Sequence, residues 1–223
     1  MTPVLRVALL LAVALAIGAG TGLLPLPVLF VAKPLATVLI IVHAARRGHD
    51  EPVARRWILA GLVLSLAGDV ALLWPKEGFL PGLIAFLLAH LAYIAAFASR
   101  ARLLSRPAPF LLYATVAAVV LASLWPGVPA GLRVPVVLYV VGLAAMAAQA
   151  GVVWLALRGT PAARAAWSGA IGGALFMLSD ALLATNKFAG PLPLASLWVL
   201  ASYWAAQWCI ANSLRERVGL TSP

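Results

Sequence analysis

Charge is what this chain has least of. Of 223 residues only 10% are Asp, Glu, Lys or Arg, and six are acidic, whereas an ordinary soluble domain is about one quarter charged. A water-soluble globule is thereby excluded. Cysteine is nearly absent: Cys209 stands alone, so no intrachain disulfide can form, and its place in a late apolar block suits a small packing residue. Histidine is scarce too. His43 and His49 fall near or beyond the end of the second apolar block, leaving His90 by itself, which argues against a three-histidine metal site. Neither a metal nor another cofactor is expected. The sequence also lacks a glycine-rich phosphate loop, an HExxH pair and a nucleophile elbow, and with them the chemistries those motifs carry.

What is present is apolar. Hydrophobic residues make up 64% of the chain, nearly all in blocks of about 17 to 24 residues, the length a helix needs to cross roughly 30 Å of hydrocarbon. The fold class expected is an all-α membrane protein of eight transmembrane helices, a single transmembrane domain over 1–223. Its candidate spans are 4–20, 26–45, 57–74, 79–99, 108–125, 134–157, 167–186 and 192–214. Pro25, Pro27, Pro75, Pro107, Pro109, Pro126, Pro129, Pro161, Pro191 and Pro193 fall between spans or at their ends, where a lost helical hydrogen bond costs least. The first block, with Arg6 ahead of Val7 to Ile17 and small residues at Gly18 to Gly20, also fits a cleaved signal peptide. Retaining it gives an even helix count that agrees with the charge bias.

The net charge of +10 would suit nucleic acid, but the basic residues stand in short runs between apolar blocks, the pattern of cytoplasmic loops. No nucleic-acid partner is expected. Arg6, Arg46, Arg47, Arg55, Arg56, Arg100, Arg102, Arg106, Arg158, Arg164, Arg215 and Arg217 fall on one side, against Lys76, Arg133 and Lys187 on the other. Twelve against three makes both termini cytoplasmic, and a bacterial inner membrane is the expected location. Trp57, Trp154 and Trp167 mark one set of helix ends, and Trp74, Trp125 and Trp198 the other, as interfacial anchors do. Leu66 to Leu72 also lies over Met177 to Leu183, superposing Asp69 on Asp180 and Lys76 on Lys187. The third and seventh spans run the same way, so the halves would be parallel four-helix repeats.

Asp69 and Asp180 are the residues to explain. They lie 12 residues beyond Trp57 and 13 beyond Trp167, about 18 and 20 Å from the cytoplasmic interface by helical rise. The two are level. A carboxylate so deep costs about 2.5 to 3.5 kcal/mol on insertion scales, so each should face the bundle interior with partners or water. Lys33, seven residues in from the end of its span, lies within reach of either. One lysine cannot neutralise both, and leftover charge is expensive unless protonated or used. His90 and Tyr93 sit mid-span, and with Tyr203 and Gln207, which share a face four residues apart, they form a candidate polar pocket. Ser65, one turn before Asp69, either orients it or bonds its own backbone. For each of these, interhelical hydrogen bonding is the plain structural alternative.

Gly61-Leu62-Val63-Leu64-Ser65-Leu66-Ala67-Gly68-Asp69, followed by Gly82, Phe86, His90, Tyr93 and Phe97, forms an ordered series. Lys33-Pro34 precedes it; Phe176-Met177-Leu178-Ser179-Asp180, Tyr203 and Gln207 follow. From span two to span eight this pattern resembles the YhhN, or lysoplasmalogenase, membrane proteins. The resemblance implies an eight-helix hydrolase cleaving the vinyl ether bond of lysoplasmalogens to a fatty aldehyde and a glycerophospho-alcohol. Asp69 and Asp180 would be its acid and base, and a lysophospholipid its partner within the membrane.

That chemistry suits the residues. Vinyl ether hydrolysis protonates the terminal alkene carbon, and water then attacks the oxocarbenium ion, so an acid and a base must coexist. The single chain would lie between helices with its head group at the interface, near Lys76, Lys187 or Arg133. The main rival is a proton-coupled transporter using the same buried carboxylates. A metal-dependent amidase of the alkaline ceramidase type would want more histidine, and an interaction protein with a merely stabilising polar core is a third reading.

Overall fold

The computed structural model describes residues 2–74 and 76–216, all helix, turn and loop. Eight α-helices follow one another among the described residues. They are α1 (Pro3–Gly20), α2 (Leu26–Ala45), α3 (Pro52–Ala71), α4 (Phe79–Ala98), α5 (Pro107–Leu124), α6 (Arg133–Leu157), α7 (Ala163–Phe188) and α8 (Ala195–Asn212). Two short 3₁₀ turns, Trp125–Gly127 and Ala130–Leu132, join α5 to α6. Proline starts α1, α3 and α5, where its missing N–H would have had no helical partner. This is why α3 begins at Pro52 instead of 57: the helix continues through Arg55 and Arg56 as far as the proline that can open it.

Six helices, α1, α2, α4, α5, α6 and α7, are long and apolar enough to cross a membrane. The other two carry the polar load, α3 with Arg55, Arg56 and Asp69 and α8 with Tyr203, Gln207 and Asn212. Outward faces are apolar, as at Leu10, Leu111, Val119 and Leu138, and polar side chains such as Gln149, Ser65 and Gln207 are buried. That is the reverse of a soluble protein and the arrangement hydrocarbon demands.

The helices α2, α3, α4, α6, α7 and α8 pack in a closed series, with α8 returning to α2. Helix α1 lies on α2 and α8; α5 lies on α6 and touches α7. The α3–α4 pair approaches closely because Gly61 has no side chain: a Cβ there would stand 2.3 Å from Tyr93 Cε1. At the arginine-rich end the segment after α8 is tied down by backbone-directed donors. Arg47 Nε donates to Leu214 O (3.0 Å), Gly48 N to Arg215 O (2.9 Å) and Arg100 Nη1 to Ser213 O (3.1 Å). Arg47 also pairs with Glu216, and that hydrogen bond holds the Glu216 carboxyl below its usual range.

Candidate active site

Helix α2 supplies two side chains to Asp69, one turn apart. Thr37 Oγ1 donates to Asp69 Oδ2 at 2.6 Å, and Lys33 Nζ lies 3.6 Å from Oδ1 while donating to the Asp69 carbonyl at 3.2 Å. Helix α8 supplies a third partner, Tyr203, whose hydroxyl donates to Oδ2 at 2.7 Å. Asp69 is 1% exposed, so these partners replace water entirely, as a buried carboxylate requires. Behind them the network continues. Gln207 Nε2 donates to Tyr203 OH (3.1 Å), Tyr93 OH donates to Gln207 Oε1 (2.7 Å), and Ser65 Oγ lies 3.4 Å from Tyr93 OH. Trp204 Nε1 donates to Thr37 Oγ1 at 3.2 Å. Four helices thus meet around one carboxylate.

Asp180 is held differently. The Tyr139 hydroxyl of α6 donates to its Oδ2, and among the described residues no Lys or Arg pairs with it. It borders two cavities. One, of about 380 Å³, is apolar and runs between α5, α6 and α7 with part of α4, lined by Tyr113, Val116, Leu121, Leu143 and Leu178 among others. The second, of about 280 Å³, contains Lys33, Asp69, Ser179, Asn186, Lys187, Ser196 and Tyr203. Leu72, Phe79, Phe86, Asp180 and Leu183 line both. Of those five, Asp180 alone is polar. Lys187 lines the second cavity with its ammonium 4.0 Å from the centre of the Phe79 ring, a cation–π contact.

The structure therefore gathers Lys33, Asp69, Ser65, Tyr93, Tyr203 and Gln207 into one hydrogen-bonded network, with Asp180 across the shared cavity. Ser65 contacts Tyr93 and not the aspartate one turn away. Lys33 pairs with Asp69. His90 stands apart from the network: fully buried, it packs on the Phe176 and Tyr139 rings at centroid distances of 4.8 and 5.1 Å, with neither ring nitrogen hydrogen-bonded among the described residues. Of the other histidines, His43 stacks on Trp208 at 4.4 Å and bonds Asn212. No three His, Cys, Asp or Glu side chains gather among the described residues.

Sequence reasoning missed Thr37, Tyr139 and Trp204. Thr37 carried a signal, lying four residues after Lys33 and so on the same helical face. Tyr139 carried none within its own helix, because its role depends on how α6 meets α7. Arg133 lies over the Trp125 ring, 5.1 Å from its centre, and neither it nor Lys76 lines the polar cavity.

The YhhN family model matches residues 28–214. Lysoplasmalogenase TMEM86A of Bos taurus is 32% identical over 185 residues, covering 80% of this chain and 73% of its own length. Lysoplasmalogenase TMEM86B of Sus scrofa is 37% identical over 183 residues, covering 82% and 73%. The lysoplasmalogenase of Mycobacterium tuberculosis is 32% identical over 160 residues, covering 69% and 58%. No solved structure matches. From α2 to the end of α8, the helices that carry every residue of the network, this chain belongs to the YhhN family.

Proposed function

We propose that this protein is a membrane-embedded hydrolase that cleaves the vinyl ether bond of lysoplasmalogens to a fatty aldehyde and a glycerophospho-alcohol. One observation carries the reading: Asp180 is the polar group common to an apolar cavity fit for an alkyl chain and a polar cavity holding Asp69 and Lys33. The names of the relatives agree with it. In this reading the alkenyl chain occupies the apolar cavity, the reactive bond lies at Asp180, and the phosphate faces Lys187.

Asp180, with Tyr139 as its one donor and no Lys or Arg paired with it among the described residues, carries the proton. It protonates the alkene carbon distal to oxygen, leaving a carboxylate and an oxocarbenium ion. Asp69, with donors from Thr37 and Tyr203 and the Lys33 ammonium alongside, serves as the carboxylate that stabilises this cation and takes a proton from the attacking water. The hemiacetal so formed collapses as Asp69 returns its proton to the ether oxygen and Asp180 accepts the hydroxyl proton. The carbon–oxygen bond breaks, aldehyde and alcohol leave, and both carboxyl groups regain their starting states.

The same reading takes all eight helices as membrane crossings with both termini cytoplasmic, supported by the twelve-to-three arginine and lysine bias, and puts the protein in a bacterial inner membrane. It also takes the halves as repeats. In support, α1–α2, α2–α3 and α3–α4 packing has counterparts in α5–α6, α6–α7 and α7–α8, and Gly61 and Gly172 each lie eight residues before an aspartate.

The test is aldehyde release from a lysoplasmenyl lipid by purified protein in vesicles, beside the acyl lysophospholipid as control. Asp69→Asn and Asp180→Asn proteins that keep the wild-type melting temperature should each lose about 10²- to 10⁴-fold of the rate. Fatty acid release from the acyl lipid in place of aldehyde would overturn the reaction; full activity of either variant would overturn the pair.

A further inference from the structure

The apolar cavity is not sealed. Val116 of α5 and Leu178 of α7 both line it, yet are 42% and 50% exposed, and Ala174, one turn before Leu178, is likewise a lining residue with an exposed surface. These three mark a mouth between α5 and α7. The two helices touch little, and one contact lies at the end away from the mouth: a Cβ on Gly127, just past α5, would stand 1.9 Å from the carbonyl oxygen of Phe188. From that junction the mouth lies 11 residues back along the chain at Val116 and 10 back at Leu178, about 15 Å by helical rise. An opening that far along membrane helices faces hydrocarbon and not water.

We propose that this mouth is a lateral portal through which the hydrocarbon chain of a single-chain lipid passes from the bilayer into the cavity. The occupant follows from the surroundings. An apolar slot with apolar rims at hydrocarbon depth gives no advantage to a polar solute, whereas an alkyl chain moves through it without leaving an alkane-like medium. The slot shares Asp180 and four apolar lining residues with the polar cavity, so a chain entering sideways brings its head-group end to the carboxylates and its phosphate towards Lys187. One chain fits this geometry better than two: the apolar side is a single cavity of about 380 Å³. The proposal rests on the hydrolase reading for what happens at Asp180, but entry itself is testable apart from it.

Val116→Trp and Leu178→Trp would fill the rim without touching the hydrogen-bonded network. Val119→Trp, on α5 but outside the cavity and 65% exposed, is the control. Two readouts separate entry from chemistry. In the first, a lysophospholipid with a photoactivatable diazirine in its alkyl chain is irradiated with the protein in phosphatidylcholine vesicles, and labelled residues are mapped by mass spectrometry. Labelling should fall on cavity-lining positions of α5 and α7 and drop about tenfold in the two rim variants, with Val119→Trp unchanged. Labelling confined to the outer faces, or unaffected by rim tryptophans, would overturn the portal whether or not the protein is a hydrolase. In the second, aldehyde release is compared for a long-chain lysoplasmenyl lipid in vesicles and a short-chain, water-soluble vinyl ether glycerophosphate. Rim variants should slow the long-chain substrate about tenfold while leaving the short one within about twofold. Equal losses on both would mean the tryptophans damage the site and do not block entry, which also counts against the portal.

Discussion

Tyr139 stands at an unusual junction for one hydroxyl. It is the described donor to Asp180 while its ring packs on His90, so Tyr139→Phe removes the donor and keeps the packing. If Asp180 needs that bond to aim its proton, aldehyde release should fall about tenfold, equivalent to about 1.4 kcal/mol in the barrier, with the melting temperature little changed. An unchanged rate would assign the hydroxyl to structure alone. The residues around Asp69 were largely legible in the sequence because carboxylates, a lysine and paired tyrosine and glutamine are conspicuous in apolar blocks, and intramembrane cost makes each demand a partner. Thr37 escaped because a threonine in a helix ordinarily satisfies itself on its own backbone, as Thr115 and Thr185 do here. Tyr139 escaped because no spacing within α6 reveals which residue of α7 it will face.

At the α3–α4 contact, Gly61 shows how a residue bears on the site without bonding to the carboxylate. Gly61 leaves room for the Tyr93 ring, and Tyr93 in turn fixes Gln207 of α8 through its hydroxyl. Gly61→Ala should therefore cost about 1–3 kcal/mol as overpacking and push Tyr93 away from Gln207. The expected result is a lower melting temperature in detergent together with reduced aldehyde release. A variant as stable and active as wild type would show that the contact relaxes freely. Element positions were the most readable part of the sequence: α2 runs over 26–45 as hydropathy and proline punctuation indicate. Departures occur where polar residues extend a helix past its apolar stretch. Helix α7 reaches from Ala163 to Phe188, taking in Arg164 and Lys187, which a hydrophobicity-based boundary excludes but helical propensity tolerates.

At the scale of the whole molecule six of the eight helices close into a series whose seam brings α8 back to α2 and α3. Asp69 of α3 holds Tyr203 of α8, and at the arginine-rich end Arg47, Gly48 and Arg100 hold the backbone of 213–215. Length and composition in the sequence foretell the number of helices, but not this closure, because the contacts join residues more than 100 positions apart. By contrast, α4 and α5, consecutive in the chain, are not among the closely packed helix pairs. The peptide link between them is thus mechanically the least needed part of the protein. Cut within 102–106, α1–α4 and α5–α8 should assemble from two separately translated polypeptides and co-purify through a tag on either one. Weakening the seam with Asp69→Ala should reduce that recovery, and failure of the unaltered fragments to associate would show that the covalent link is required. A protein built this way could be dissected as a two-piece machine, and under the proposed mechanism each piece would supply one of the two carboxylates, so that neither alone would release aldehyde.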